Sequence, residues 1–385
     1  VKLYQKIKRS PFLIRLFHWE YWPFHVVYAP IYPVWIWFCI KARSLFFFGA
    51  SNPTIKNAGF LMEPKSEIDP LIPPQYKPAL LFFVAGTAFE KITQTICDEQ
   101  LHYPLVIKPD IGLQGKAVIK VDDERELKNA VSKFTVNFII QPFISFPKEV
   151  GIFYVRYPDE LHGRITGIVE KEFLTVTGDG CNTIEALLYH TPRYILQMPA
   201  LKKLLGAEIN NVLQKGETMT LVPYGNHVRG SLFLDSTYKN TRQIESVIDN
   251  ACRSIEGFYY GRLDIRFNSF EELGNNKNWS IIELNGAGSE PTHIYDPKHS
   301  IFFAFKEIIR HWKIMYSISM QNKRKGVPFL KYKDGIAMFR ENRRYVKTLN
   351  KISFEKDIET GVTKSENSSI GKCPEINGGV VYTAG

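Results

Sequence analysis

The segments GRLDIRF (residues 261–267) and WSIIELNGAGSEP (residues 279–291) constrain this chain most. Each is a short apolar, strand-like run interrupted by acid. An isolated buried carboxylate is costly, so it neutralises or finds a partner. The polar stretch EELGNNKN between them reads as a turn, which makes the two runs neighbouring antiparallel strands. Residues i and i+2 of a strand share a face. Glu283 and Asn285 therefore point the same way, and the neighbouring strand can aim Asp264 into the same space. Three oxygen-bearing side chains converging there suit a hard divalent cation such as Mg2+. That ion takes few protein carboxylates and keeps its other positions for water and phosphate. The competing reading is a solvated strand face with Arg262 or Arg266 as ion-pair partners.

The chain of 385 residues can hold two or three compact units, and its 44% apolar and 23% charged residues are those of a globular protein. A net charge of +10 points to an anionic partner: nucleotide, nucleic acid or lipid headgroup. Nucleic acid is not expected, because the basic residues do not form a stripe interleaved with stacking aromatics. The five cysteines are scattered, with no CxxC pair, which fits reduced thiols in a cytoplasmic setting better than a disulfide scaffold and speaks against a cysteine zinc site.

Residues 1–19 carry Lys2, Lys6, Lys8, Arg9 and Arg15 but no acid, and residues 24–40 form an apolar, aromatic run without Lys, Arg, Asp or Glu. Three readings compete for this segment. A transmembrane helix would be slightly short and broken by Pro30 and Pro33. An interfacial segment at the inner face of a membrane suits the aromatics and the basic flank. The third reading packs the aromatics on the protein's own core or in a homodimer interface.

The middle of the chain is regular. YPLVIKP (103–109) reads as a strand, DIGLQGK as a turn and AVIKV as a return strand. DDERELKNAVSKF reads as a helix with acids in its first turn. NFIIQPFI is a further strand, and EVGIFYVRYP with RITGIVEKEF makes a hairpin. GDGCNTIEALL turns and starts a helix with Asn182 as N-cap and Glu185 completing a capping box. Residues 240–257 and 300–318 read as helices. The expected division is an N-terminal segment 1–77, a catalytic domain 78–320, and a basic, largely disordered tail 321–385.

Lys108 ends a strand, and Gly112 and Gly115 make the next stretch pliable enough for backbone N–H groups to approach an anion. Lys116 adds a second cation. The spacing is not that of a Walker loop. The order is a lysine strand with a glycine loop, then an apolar strand, then carboxylate strands. That order resembles the ATP-grasp superfamily over roughly residues 78–300. YPLVIKPDIGLQGKAVIKV is similar to the lysine strand and glycine-rich flap of D-alanine–D-alanine ligases. QPFISFPKE resembles their hinge, although Gln141 stands where an acid is usual. GRLDI and IIELNGAGSEPTH resemble the metal strands, with NGAGSEP in place of the usual N-x-x-P-G. TVTGDGCNTIEALL and GNHVRGSLFLDST are similar to stretches of cyanophycin synthetases.

The resemblance implies an α+β ATP-grasp fold, two subdomains with antiparallel sheets clasping ATP. It implies Asp264, Glu283 and Asn285 as ligands of one or two Mg2+, with Mn2+ an alternative. Gln141, Phe143 and Ile144 would supply the hinge, and Glu149 would take the ribose hydroxyls. Lys108, Lys116 and Lys171 would meet phosphate, with Lys77 or Lys91 as a further upstream lysine. Arg262 would face the reacting acyl phosphate, and His227 and Arg229 would orient substrate. The implied activity is an ADP-forming carboxylate–amine ligase acting through an acyl phosphate on an unidentified carboxylate and amine. Two alternatives stand beside it: an ATP-grasp kinase for a small or lipid-like acceptor, and a membrane-associated nucleotide-binding protein without catalysis.

Overall fold

A computed structural model describes residues 10–112, 117–222 and 231–350. The described chain begins with three short helices, α1 (Pro11–Phe17), α2 (Phe24–Tyr28) and α3 (Tyr32–Ala42), followed by irregular chain containing the single turn α4 (Lys65–Ile68). Next come β1 (Leu81–Phe83), α5 (Phe89–Asp98), β2 (Leu105–Pro109), β3 (Ile119–Val121), α6 (Glu124–Val131) and β4 (Phe138–Pro142). Together these strands make an antiparallel sheet in the order β1-β4-β2-β3. The chain then enters the hairpin of β5 (Lys148–Val155) and β6 (Arg164–Glu172). An insertion follows: β7 (Leu174–Thr177), α7 (Ile184–Leu188), α8 (Pro192–Leu205) and β8 (Thr218–Val222). The chain returns through β9 (Leu232–Asp235), α9 (Arg242–Arg253), β10 (Tyr260–Phe267), α10 (Phe270–Gly274) and β11 (Trp279–Asn285). These complete a second antiparallel sheet, β11-β10-β5-β6-β9. Two helices, α11 (Ile301–Arg324) and α12 (Tyr332–Leu349), end the described chain.

The two expected acid strands are therefore antiparallel neighbours, with Asp264 opposite Glu283 and Arg262 opposite Asn285. Three local expectations need correction. The polar stretch between the strands is not turn throughout: it starts with α10, capped by the Ser269 hydroxyl accepting from Glu272 N. Thr183, not Asn182, caps α7, because the Asn182 side chain is engaged by Asp179. The tail expected over 321–385 is helical in 332–349, because Met338, Tyr345 and Leu349 recur at helical spacing and pack into two different cores. Residues 351–385 lie outside the described part.

The N-terminal segment is docked on the rest of the described chain. The inner face of α3 (Phe38, Cys39, Ala42) packs with Ile314, Met315 and Ile318 of α11, and Val27 and Ile31 pack with Ile308. Pro33 sits in the first turn of α3, where a missing N–H is tolerated. Among the described residues, no helix is long and apolar enough to cross a membrane.

Asn52 ties this segment to the strand that carries Asp264. Its side chain is fully buried, donates to Ala58 O (3.0 Å) and Tyr260 O (2.8 Å), and accepts from the N–H groups of Tyr259 (2.9 Å) and Tyr260 (3.0 Å). Each buried group left unpaired costs about 1–3 kcal/mol. Asn52→Ala is therefore expected to destabilise the protein by about 3 kcal/mol or more in urea unfolding. A loss below about 1 kcal/mol would mean that this clamp is not needed.

Candidate functional site

The site is built where the two sheets meet. Lys108, at the end of β2, reaches across and donates to Ile282 O of β11 (3.0 Å). A small gap around this contact is lined by Lys65, Lys108, Gln141 and Glu283. Asp264 is buried on β10. It accepts from Arg262 Nε (2.8 Å) and lies 3.1 Å from Lys171 Nζ of β6. Glu283 pairs with Lys65 Nζ at 2.9 Å. Two expectations thus hold at once: the acids share a face, and Arg262 pairs with one of them.

Lys65 is positioned by α4. Asp110, buried just past β2, accepts from Ser66 N (2.8 Å) and Ser66 Oγ (2.9 Å), while Lys65 N donates to Asp110 O (3.0 Å). Gly112 then passes close over the pair. A Cβ at this position would stand 2.5 Å from Lys65 Nζ and 3.7 Å from Glu283 Oε1, so a larger residue would displace the lysine. Tyr345 of α12 donates to Ile111 O (2.8 Å), so the last helix holds the start of this glycine segment.

Burial alone would raise the Asp264 carboxyl, but Arg262 and Lys171 outweigh it and hold the group down at about 2. Burial would also raise Glu283; Lys65 overcomes it, against Asp264 and with help from Lys108, and the carboxyl stays below its ordinary value. Burial lowers Lys108 to about 8 despite the nearby Glu283. Lys65 and Lys171 go up instead, because their carboxylate partners offset the burial. Glu63 is raised by burial to about 8, only partly relieved by Lys65, and its Oε2 has no hydrogen-bond partner among the described residues.

The other expected residues are distributed as follows. Gln141 is buried on β4. Phe143 N donates to Pro104 O (2.9 Å), its ring lies 5.2 Å from Lys120 Nζ, and Ile144 is half-buried beside it. Glu149 is buried between Lys171 (2.8 Å) and Arg266 (3.3 Å). Lys77 is paired with Asp69, and Lys91 is exposed on α5. Gly115, Lys116, His227 and Arg229 lie outside the described residues. Lys65 and Glu63 were not anticipated from sequence. Neither was Arg193, which is buried, donates to Ser231 O (2.7 Å) and pairs with Glu20 at 3.2 Å. The half-buried Glu290 accepts from Tyr28 and Tyr295, joining α2 to the loop after β11.

A cavity of about 580 Å³ adjoins this cluster, and Lys148, Glu149, Lys171, Phe173, Glu20 and Arg193 are among the residues that line it. Its size falls in the range of about 300–1,000 Å³ usual for cofactor pockets.

The donor set can be tested against a metal. Among the described residues, no three His, Cys, Asp or Glu side chains are grouped to hold an ion by themselves. Asp264 and Glu283 are opposed and ionised, and Asn285 stands on the same strand as Glu283, two residues on; its amide oxygen, not the buried nitrogen that lacks a hydrogen-bond partner among the described residues, would be the atom to meet an ion. Two carboxylates and an amide do not make an all-protein cage, but they fit Mg2+, which is held by one or two carboxylates together with phosphate.

No protein-family model matches the chain, and no curated protein matches it. Among solved structures, it is similar to a bifunctional glutathione synthetase from Pasteurella multocida, with 16% identity and a TM-score of 0.41 over 69% of this chain and 38% of that one. It is also similar to VanG D-Ala:D-Ser ligase from Enterococcus faecalis, with 15% identity and a TM-score of 0.39 over 71% of this chain and 64% of that one. A third is the D-alanine-D-alanine ligase from Coxiella burnetii, with 11% identity and a TM-score of 0.37 over 74% of this chain and 62% of that one.

Proposed function

We propose that this chain is an ATP-dependent, ADP-forming carboxylate–amine ligase of the ATP-grasp type. The observation that carries the reading is the opposed, ionised Asp264–Glu283 pair set among Lys65, Lys108, Lys171 and Arg262 where two antiparallel sheets meet. Phosphoryl transfer needs little covalent help from protein; it needs positioning and charge neutralisation. In the proposed reaction, a substrate carboxylate oxygen bonds to the γ-phosphorus and ADP leaves. The amine nitrogen then bonds to the acyl carbon, inorganic phosphate leaves, and the amine gives up a proton, with His227 the proposed acceptor. The nucleotide would occupy the cavity beside Lys148 and Glu149, its phosphates directed toward Lys171 and Lys108. The segment through Gly112 would cover the phosphates and keep water from the acyl phosphate. Arg262 would hold the acyl phosphate. Asp264, Glu283 and Asn285 would hold Mg2+ or Mn2+, which when bound neutralises phosphate oxygens.

The experiment is an ADP-release screen against pools of amino acids, small carboxylic acids and amine-bearing lipids, with mass spectrometry of the product. An amide supports the ligase. A stable phosphate ester would replace it with a kinase, and ATP that is neither bound nor consumed would remove both.

The titration of Lys108 gives a pH prediction. Phosphate favours the charged amine, whose value before binding is about 8. As pH rises past about 8, binding must also take up a proton, so nucleotide affinity falls by up to about tenfold per pH unit. Glu63 ionises over the same range and acts in the same direction. Calorimetry with a non-hydrolysable ATP analogue should show this fall in the wild type and a shallower one in Lys108→Arg, where only the Glu63 contribution is left. An unchanged slope in the variant would remove Lys108 from the phosphate site.

A further inference from the structure

We infer that the outward surface of α1–α3 is a docking surface for an anionic lipid bilayer. This goes beyond the catalytic reading and does not depend on it. The clearest element is α3. Phe38, Cys39 and Ala42 are buried against α11, yet the opposite stripe is also apolar. Ile36 (56% exposed), Trp37 (57%) and Ile40 (62%) recur on that stripe at helical spacing, with Pro33 beginning it. Phe12, Phe17 and Phe24 on α1 and α2 are exposed as well. A helix that is apolar all round belongs in a core or in lipid, and one of eleven residues cannot span a bilayer. It can lie in the interface, where Trp and Phe are favoured.

Charge selects the occupant. From residue 1 to residue 62 the sequence has one acid, Glu20. That carboxylate is turned inward, buried against Arg193 at 3.2 Å. The outward surface therefore carries no negative charge from this segment, while the segment's Arg15, Lys41 and Arg43 are exposed. A second copy docking by two-fold symmetry would bring the same cations together with no acid of this segment between them. An anionic leaflet offers apolar depth and the opposite charge at the same surface.

The test is co-sedimentation of the full chain with vesicles of phosphatidylcholine alone or an equal mixture of phosphatidylcholine and phosphatidylserine, at low and high salt. The wild type should sediment with the mixed vesicles, and less so in high salt. The double variant Ile36→Glu/Ile40→Glu should partition more than about tenfold less. Both side chains are exposed, so its thermal midpoint should match the wild type. Arg15→Glu/Lys41→Glu should weaken binding to the mixed vesicles only. Three outcomes would overturn the proposal. The wild type could stay in the supernatant with both vesicles. The isoleucine variant could bind like the wild type. Light scattering could show a wild-type dimer that this variant dissolves while vesicles bind neither, which would give the surface to a second copy.

Discussion

Glu283→Gln is expected to lower ADP release by more than about a hundredfold while the protein stays folded. Removing one pre-organised electrostatic group from a reacting centre typically costs about 10²–10³ in rate. Glu283 is the clean position for this test. Its side chain is 33% exposed and pairs with Lys65, with Lys108 near by, so losing its charge disturbs the fold less than it would at the buried Asp264. Asp264→Asn should lower turnover at least as far. There, however, Arg262 and Lys171 both lean on the carboxylate inside the protein, and a loss of stability will accompany the loss of rate. The pair of variants separates the two effects. ADP release should fall in both, and the urea midpoint should fall clearly only in Asp264→Asn. Turnover within a few-fold of wild type in Glu283→Gln would remove this residue from the proposed metal and phosphate chemistry.

What could be read from sequence follows from periodicity. A strand repeats every two residues, so Asp264, Glu283 and Asn285 could be assigned to one face without coordinates, and their register agrees. Lys108 was legible for a similar reason, as the polar end of an apolar strand. Lys65 and Glu63 were not. They come from irregular chain between residues 43 and 80, which has no repeat to reveal its direction. They reach the site because Gly286 packs against Ala58 and Gly59, and because Asp110 anchors Ser66. The close approach at Gly286 is visible in sequence only as a glycine after Asn285. Arg193 and Glu20 meet across the fold, a contact no local pattern encodes. The helix over 332–349 had a usable signal, the spacing of Met338, Tyr345 and Leu349, but the surrounding lysines and arginines made the stretch look like a tail. One face of α3 packs on the protein's own core, as the third reading of the aromatic segment had it, and the other remains exposed.

Glu149→Leu should destabilise the protein by about 3–5 kcal/mol, the usual cost of removing one member of a buried ion-pair group. The resemblance gave Glu149 a ribose role, but its carboxylate also separates Lys171 (2.8 Å) from Arg266 (3.3 Å). Asp264 meets Lys171 (3.1 Å) and Arg262 (2.8 Å) on the other side. The wild-type group therefore sets Lys171, Arg262 and Arg266 against Glu149 and Asp264. Leucine leaves the same cations with Asp264 as their carboxylate partner, in a place water reaches poorly. The pH dependence has a definite sign. Burial would lower Lys171, but Asp264 and Glu149 more than offset it, so its folded value lies above the ordinary 10.5. Stability from such a group is fully present below its unfolded value and is lost as pH rises through the folded one. The gap between wild type and Glu149→Leu should therefore be constant through neutral pH and narrow above about pH 10.5. Urea unfolding across that range measures it. A loss under about 1 kcal/mol at neutral pH, combined with weakened nucleotide binding, would leave Glu149 with a ligand role alone and no part in holding Lys171.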